Sequence, residues 1–287
     1  MKNNQKTIIM KNKGTLNEKV ESSIEFLKKA ERLAIELNPK GFVVAFSGGK
    51  DSIVMLDLVR RANVRHVVVH SVTGIDSPTT MYFMRDNYPE IKYIHQRENV
   101  LQLIERFGLP KMGKRYCCRM VKENVGVGSV VLTGVRAAES VSRAKGAEVE
   151  VYSRRKENLI KGRKRSLEGL YDMKHECIRG KDRVMIKPIF DWSTEDVWNY
   201  IMQRGLPKNP QYGQVGRVGC MYCPFASEKQ IKWYEKEYPV YKKRVMLAVK
   251  RFWDRYDEHV FDTPEEYYEW WRSKMSVVKY KRLRGMA

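Results

Sequence analysis

Phe42-Val43-Val44-Ala45-Phe46-Ser47-Gly48-Gly49-Lys50-Asp51-Ser52 is the stretch from which the fold is read. Five consecutive apolar residues predict a strand buried on both faces of a parallel sheet, and Ile53 to Arg61 carries apolar residues at helical spacing. Between strand and helix, Gly48 and Gly49 let the backbone turn sharply and approach a ligand closely. Loop and helix amides then converge on an anion at the helix N-terminus, so the loop reads as a phosphate cradle. Lys50 adds positive charge, Ser47 and Ser52 add hydroxyls, and Asp51 supplies a carboxylate suited to Mg²⁺. The GxxxxGK[ST] spacing of a Walker A loop is absent.

The 287 residues are 43% hydrophobic and 31% charged, enough for one large α/β domain with a smaller appendage. No apolar run reaches the roughly 18 residues of a membrane span. Met1 to Lys13 is polar and basic, so the expectation is a cytoplasmic protein without a membrane partner. Lys and Arg number 55 against 34 Asp and Glu, a formal net charge of +21 that suggests a polyanionic partner.

Apolar residues recur at Val20, Ile24, Leu27, Ala30, Ala34 and Leu37, a helix that Pro39 and Gly41 end. Further strands are expected at 67–69, 92–95, 130–132 and, as an extended segment, 185–190; helices are expected at 79–88, 100–107 and 193–201. This alternation predicts an α/β fold, a doubly wound and mostly parallel sheet with helices on both faces. Three segments are expected: a tail and helix over 1–40, a nucleotide and cysteine domain over 41–226, and a helical, aromatic, basic extension over 227–287.

The five cysteines are Cys117, Cys118, Cys177, Cys220 and Cys223. The Cys117-Cys118 pair and the Cys220-Met221-Tyr222-Cys223 pair suit metal ligation in a reducing compartment better than disulfides. Spacing alone leaves zinc and an iron-sulfur cube both open, although adjacent cysteines are uncommon in zinc ribbons. Cys177 lies among basic residues that favour a thiolate. Arg154 to Arg165 is a basic run containing Arg154, Arg155, Lys161, Arg163, Lys164 and Arg165, a candidate nucleic-acid contact.

The Ser47-Gly48-Gly49-Lys50-Asp51-Ser52 loop resembles the SGGxDS signature of PP-loop ATP pyrophosphatases. From Val43 to Phe225 the chain is similar to the phosphoadenosine-phosphosulfate reductase family of that superfamily. The likeness runs through Val72-Thr73-Gly74, Thr133-Gly134-x-Arg136-x-x-Glu139-Ser140-x-x-Arg143, Pro188-x-x-Asp191-Trp192-Ser193-x-Glu195-Asp196-Val197-Trp198 and Gly219-Cys220-x-x-Cys223. The resemblance implies an adenine nucleotide alpha-hydrolase fold. Adenine would lie near Thr73, Gly74 and Gly134, the phosphates in the loop, and Arg136 or Arg143 would face the anion. It also implies a [4Fe-4S] cluster on Cys117, Cys118, Cys220 and Cys223, with zinc as the alternative.

Two departures shape the functional expectation. Sulfonucleotide reductases of the family carry a nucleophilic cysteine in a C-terminal segment, and no cysteine follows Cys223 here. Those reductases also tend to have a degraded loop, whereas this one is intact, which points to ATP with Mg²⁺. The expected activity is therefore release of pyrophosphate and adenylation of a substrate for sulfur transfer, onto DNA as in phosphorothioation systems or onto tRNA. Catalytic roles fall to Lys50, Asp51, Arg136, Arg143 and, as a sulfur carrier, Cys177, with a donor such as a cysteine desulfurase as partner. Alternatives are an assimilatory sulfonucleotide reductase, a sulfate adenylyltransferase-like subunit and a non-enzymatic nucleic-acid-binding regulator.

Overall fold

The structure is a computed structural model that describes residues 14–152, 163–164, 183–257 and 259–285. Its central feature is a seven-stranded sheet in the order β3-β2-β1-β4-β7-β5-β6. The strands are β1 Phe42–Ala45, β2 His66–Val72, β3 Lys92–His95, β4 Val130–Leu132, β5 Val149–Tyr152, β6 Arg163–Lys164 and β7 Arg183–Ile186. β1 runs parallel to both β2 and β4, and β4 runs parallel to β7. β5 and β6 are antiparallel additions at one edge. The sheet is thus mostly parallel, as expected. The edge hairpin escapes sequence reading because Val149-Glu150-Val151-Tyr152 is short and leads into a charged run.

The described residues form two compact units, the first lying within 1–70, 83–92 and 125–209 and the second within 71–82, 93–124 and 210–287. In the first unit, α1 (Leu16–Leu37) starts from a capping box in which Thr15 and Glu18 satisfy each other's backbone amides. Its buried stripe is Val20, Ile24, Leu27, Ala30, Leu33 and Ala34. At Gly41, with φ +76°, a Cβ would lie 2.1 Å from the Arg65 carbonyl oxygen, so only glycine admits the approach that starts β1. β1 then buries Phe42, Val43 and Val44 between its parallel neighbours. α2 (Lys50–Ala62) follows, with Ile53 to Val59 wholly buried. It begins three residues before the apolar spacing, because Lys50, Asp51 and Ser52 form its first turn. α7 (Thr194–Gln203) is capped by a Ser193 and Asp196 box. Ahead of α7 come α3 (Pro78–Asn87), α4 (Val100–Phe107), α5 (Tyr116–Met120) and α6 (Val141–Ala144).

The second unit packs α4 and α5 with α8 (Gln211–Val215), α9 (Glu228–Glu237), α10 (Pro239–Trp253), α11 (Pro264–Ser273) and α12 (Val277–Leu283). One core joins Val100, Leu103 and Ile104 of α4 to Val245, Ala248 and Val249 of α10. Tyr268, Trp270 and Trp271 of α11 complete it, so most of these aromatics serve packing. Trp271 Nε1 donates to the Pro110 carbonyl at 2.7 Å, and Tyr268 donates to Glu235 at 2.5 Å. Among the described residues no helix is long and apolar enough to cross a membrane.

Candidate functional site

β1 ends at Ala45, and Phe46 N donates to the Val69 carbonyl at 2.8 Å, which fixes where the chain leaves the sheet. Gly48 takes φ +69° and Gly49 caps α2 without a side-chain bond, so the first amides of this 13-residue helix point into the loop. The loop is tied internally. Ser47 N donates to Ser52 Oγ at 3.3 Å, and Ser52 Oγ donates to the Gly49 carbonyl at 2.8 Å. The Ser47 and Ser52 hydroxyls lie 3.2 Å apart. The buried Asn209 amide donates to the Gly48 carbonyl at 3.0 Å, a brace that the Lys208-Asn209-Pro210 sequence does not announce.

Asp51 sits at the centre of the charges. Its Oδ2 accepts from Lys50 Nζ and its Oδ1 from Arg136 Nε, each at 2.6 Å. Arg136, only 1% exposed, also donates to the Trp192 carbonyl at 3.1 Å and reaches Thr194. Its position comes from β4: Thr133 N donates to the Ile186 carbonyl, and a Cβ on Gly134 would lie 2.8 Å from the Asp51 carbonyl carbon. Gly134 therefore brings the turn after β4 against the start of α2. Arg143 pairs instead with Glu139 and is 44% exposed at its side chain. Ser47, Gly48, Gly49, Lys50, Asp51, Ser52, Gly134 and Arg136 thus gather in the first unit as one cationic, amide-rich loop with a single bridging carboxylate. Such a constellation holds oxyanions and stabilises charge developing on phosphate.

Thr73 and Gly74 fall in the second unit, in a turn after β2. Gly74 takes φ +81°, and a Cβ there would lie 3.2 Å from Asn99, whose side chain caps α4. Thr73 N donates to Asp76 Oδ2 at 2.6 Å, and Val100 N donates to the Thr73 carbonyl at 2.9 Å. Met221 N donates to the Ile75 carbonyl at 3.1 Å, docking the Cys220–Cys223 loop on the same turn, and Cys220 Sγ lies 3.8 Å from Thr73 Oγ1.

All four paired cysteines are free thiols packed on the second unit's core. Cys117 and Cys118 lie on α5, a helix too short and basic for its periodicity to be read from sequence. A hydrogen bond from the Cys117 thiol favours the Cys118 thiolate, and Lys122 and Arg115 add to that, so Cys118 is held below the ordinary thiol range. The same bond and burial push Cys117 up. Burial raises Cys220 against the pull of Lys122, whose own ammonium is favoured first by Cys220 and then, once burial is outweighed, by Asp76. Lys122 is the cation shared by Cys118 and Cys220. Among the described residues no three His, Cys, Asp or Glu side chains close around a single metal ion. What fits an iron-sulfur cluster is the donor chemistry: four sulfurs in one unit, partly buried, with cationic neighbours to balance thiolate charge.

Cys177 and the run containing Arg154, Arg155, Lys161 and Arg165 lie outside the described residues. Arg163 and Lys164 enter as the backbone of β6.

A central parallel strand that delivers a Ser-Gly-Gly loop into a helix N-terminus, flanked by a buried arginine from the turn after the neighbouring strand, defines an α/β protein of the PP-loop, adenine nucleotide alpha-hydrolase-like class. The chain belongs to the phosphoadenosine phosphosulfate reductase domain family, whose model matches residues 41–226. It is 26% identical over 246 residues to an uncharacterized protein of Methanocaldococcus jannaschii, covering 81% of this chain and 45% of that protein, so the chain spans about half of that relative's length. It is 25% identical over 214 residues to adenosine 5'-phosphosulfate reductase 2 of Bacillus subtilis, covering 68% of this chain and 79% of that protein. Among solved structures it is similar to a phosphoadenylyl-sulfate reductase from Candida auris (TM-score 0.43, 18% identity, 71% of this chain and 93% of that one). A second is the U34-tRNA thiolase NcsA from Methanococcus maripaludis with its [4Fe-4S] cluster (TM-score 0.41, 15% identity, 81% and 80%).

Proposed function

We propose that the protein is an ATP pyrophosphatase that adenylates its substrate for sulfur transfer, with nucleic acid as the acceptor. The observation that carries this reading is the intact Ser47–Ser52 loop at the C-terminal end of β1, held by its own serines and by Asn209. ATP, entering as its Mg²⁺ complex, is the substrate. Loop amides and Lys50 hold the phosphates, the Ser47 and Ser52 hydroxyls orient them, and Arg136 neutralises charge that grows as the α–β bond breaks. An oxygen of the acceptor attacks the α-phosphorus, pyrophosphate leaves, and a sulfur nucleophile then displaces AMP. Cys117, Cys118, Cys220 and Cys223 would hold a [4Fe-4S] cluster, which when bound supplies a sulfur-binding or electron-transferring centre. The net charge of +21 supports a polyanionic acceptor.

The test is pyrophosphate release from ATP by anaerobically purified protein, alone and with tRNA, DNA or sulfate. Stimulation by one nucleic acid is expected; stimulation by sulfate alone would move the reading to sulfate adenylation. A second reading, sulfonucleotide reduction, is favoured by relatives at 24–28% identity that are named adenosine 5'-phosphosulfate reductases. Sulfite formed from a sulfonucleotide with a thiol donor, without pyrophosphate release from ATP, would establish it instead.

A further inference from the structure

The second unit contains a cavity of about 320 Å³ walled by Trp253, Tyr256, Tyr267 and Trp270, with Lys111 and Lys114 at its rim. Its rings are arranged as stacking faces. Tyr267 lies nearly parallel to Trp270, at 29° with centroids 5.9 Å apart, and to Phe252, at 29° and 6.0 Å. His259 lies flat on Trp253 at 3.7 Å. Tyr256 is 53% exposed, a large ring left open to solvent rather than folded into the core.

A cationic lining distinguishes this cavity from a packing defect. Lys111 sits over the Trp270 ring, 4.9 Å from its centroid, and Lys114 N donates to the Lys111 carbonyl, so one tight turn carries both ammonium groups. Neither lysine forms an ion pair with a carboxylate among the described residues. From Arg106 to Lys122 the chain carries six basic residues and no acidic one. Tyr116 lines the same cavity and immediately precedes Cys117.

We infer that this cavity takes one unpaired nucleotide of a single-stranded nucleic acid, its heteroaromatic base among the rings and its phosphate at Lys111 and Lys114. A purely apolar ligand would leave the two lysines unused; a small anion would leave the rings unused. A base has a π-face for the rings, and base–aromatic stacking is tolerant of sequence. An open rim with cations outside it suits a base attached to a continuing chain. The inference rests on the nucleic-acid reading of the same protein and names where the strand is held.

The full chain is titrated into a fluorescent single-stranded oligonucleotide across a salt series, as wild type, as Tyr256→Ala and as the double variant Lys111→Ala/Lys114→Ala. Thermal melting of each establishes that the fold is kept. Tyr256→Ala is expected to weaken binding about tenfold at an unchanged salt slope, since it removes stacking alone. The lysine variant is expected to weaken binding and to flatten the log-log slope by about 0.7, the value for one phosphate of a single strand. Photocrosslinks from a 4-thiouridine strand are expected in the peptides around Lys111 and Trp253, and pyrophosphate release from ATP alone stays at the wild-type rate. Wild-type affinity in both variants, or crosslinks confined elsewhere, overturns the cavity assignment while leaving the nucleic-acid reading standing. Equal competition by a free mononucleotide overturns the polynucleotide assignment in favour of a small-molecule site. Absence of any nucleic-acid binding at low salt overturns both readings.

Discussion

Asp51 accepts from two cations at once, and one of them, Arg136, is buried, so its removal acts on stability as well as on chemistry. Asp51→Ala is expected to abolish pyrophosphate release and to cost about 3 kcal/mol, because a buried guanidinium is left without its counter-charge. Asp51→Asn keeps an acceptor for Arg136 and should recover most of that stability without recovering turnover. Ser47→Ala should lose turnover with the fold intact, since its hydroxyl is tied only within the loop. Urea unfolding beside a pyrophosphate assay separates the three; wild-type turnover in both Asp51 variants would refute the loop's assigned role. At the thiols, about four irons and four sulfides per chain are expected after anaerobic preparation, following the donor count of a cubane. The brown colour should be lost on replacing any of Cys117, Cys118, Cys220 or Cys223 by Ser and kept in Cys177→Ser. Stoichiometric zinc without iron would reassign the centre.

At the scale of elements, what could be read in the sequence is what local pattern determines. β1, the loop and α2 follow from an apolar run, two glycines and a helical repeat; α1 and α4 follow from their stripes and caps. The antiparallel β5 and the short α5 have no comparable signal, because a four-residue strand and a five-residue helix are held by partners rather than by periodicity. One tie between elements is testable through pH. Lys19 of α1 donates to Asp196 of α7 at 2.6 Å. Burial alone would raise Asp196, but the bonds from Lys19 and from the Ser193 amide and hydroxyl outweigh it, and the carboxyl is held below the usual aspartate range. A depressed folded pKa stabilises the protein above the unfolded value and is lost as pH falls through the folded one. Wild type should therefore lose stability from about pH 5 downward more steeply than Asp196→Asn. Denaturant midpoints at pH 6 and pH 3.5 measure this, and parallel losses in the two proteins would show that the pair contributes nothing.

On the scale of the whole molecule, the two compact units interleave in sequence, and linear reading has no access to such a division. Residues 93–124, among them both α5 cysteines, share one core with the helices after Ser227, through contacts between α4, α10 and α11 that lie far apart along the chain. The two cysteine motifs could be picked out because paired thiols stand out in any context; Lys122 as the cation between Cys118 and Cys220 could not, since a lysine among lysines carries no pattern. Charge is the property that belongs to the molecule as a whole. If the +21 balance serves a polynucleotide, phosphate contacts release counterions, and affinity should fall with salt at a log-log slope of about 0.7 to 0.9 per phosphate. A sulfonucleotide carries few charges and should show a shallow slope. Replacing Arg154, Arg155, Lys161, Arg163, Lys164 and Arg165 by Ser should weaken binding of tRNA and of single- or double-stranded DNA and flatten that slope. Pyrophosphate release from ATP alone should hold, because the loop of the first unit is tied by its own serines, Asn209 and Arg136. An unchanged slope in the substituted protein would mean that its phosphate contacts come from elsewhere, with the Lys111 and Lys114 turn the first place to look.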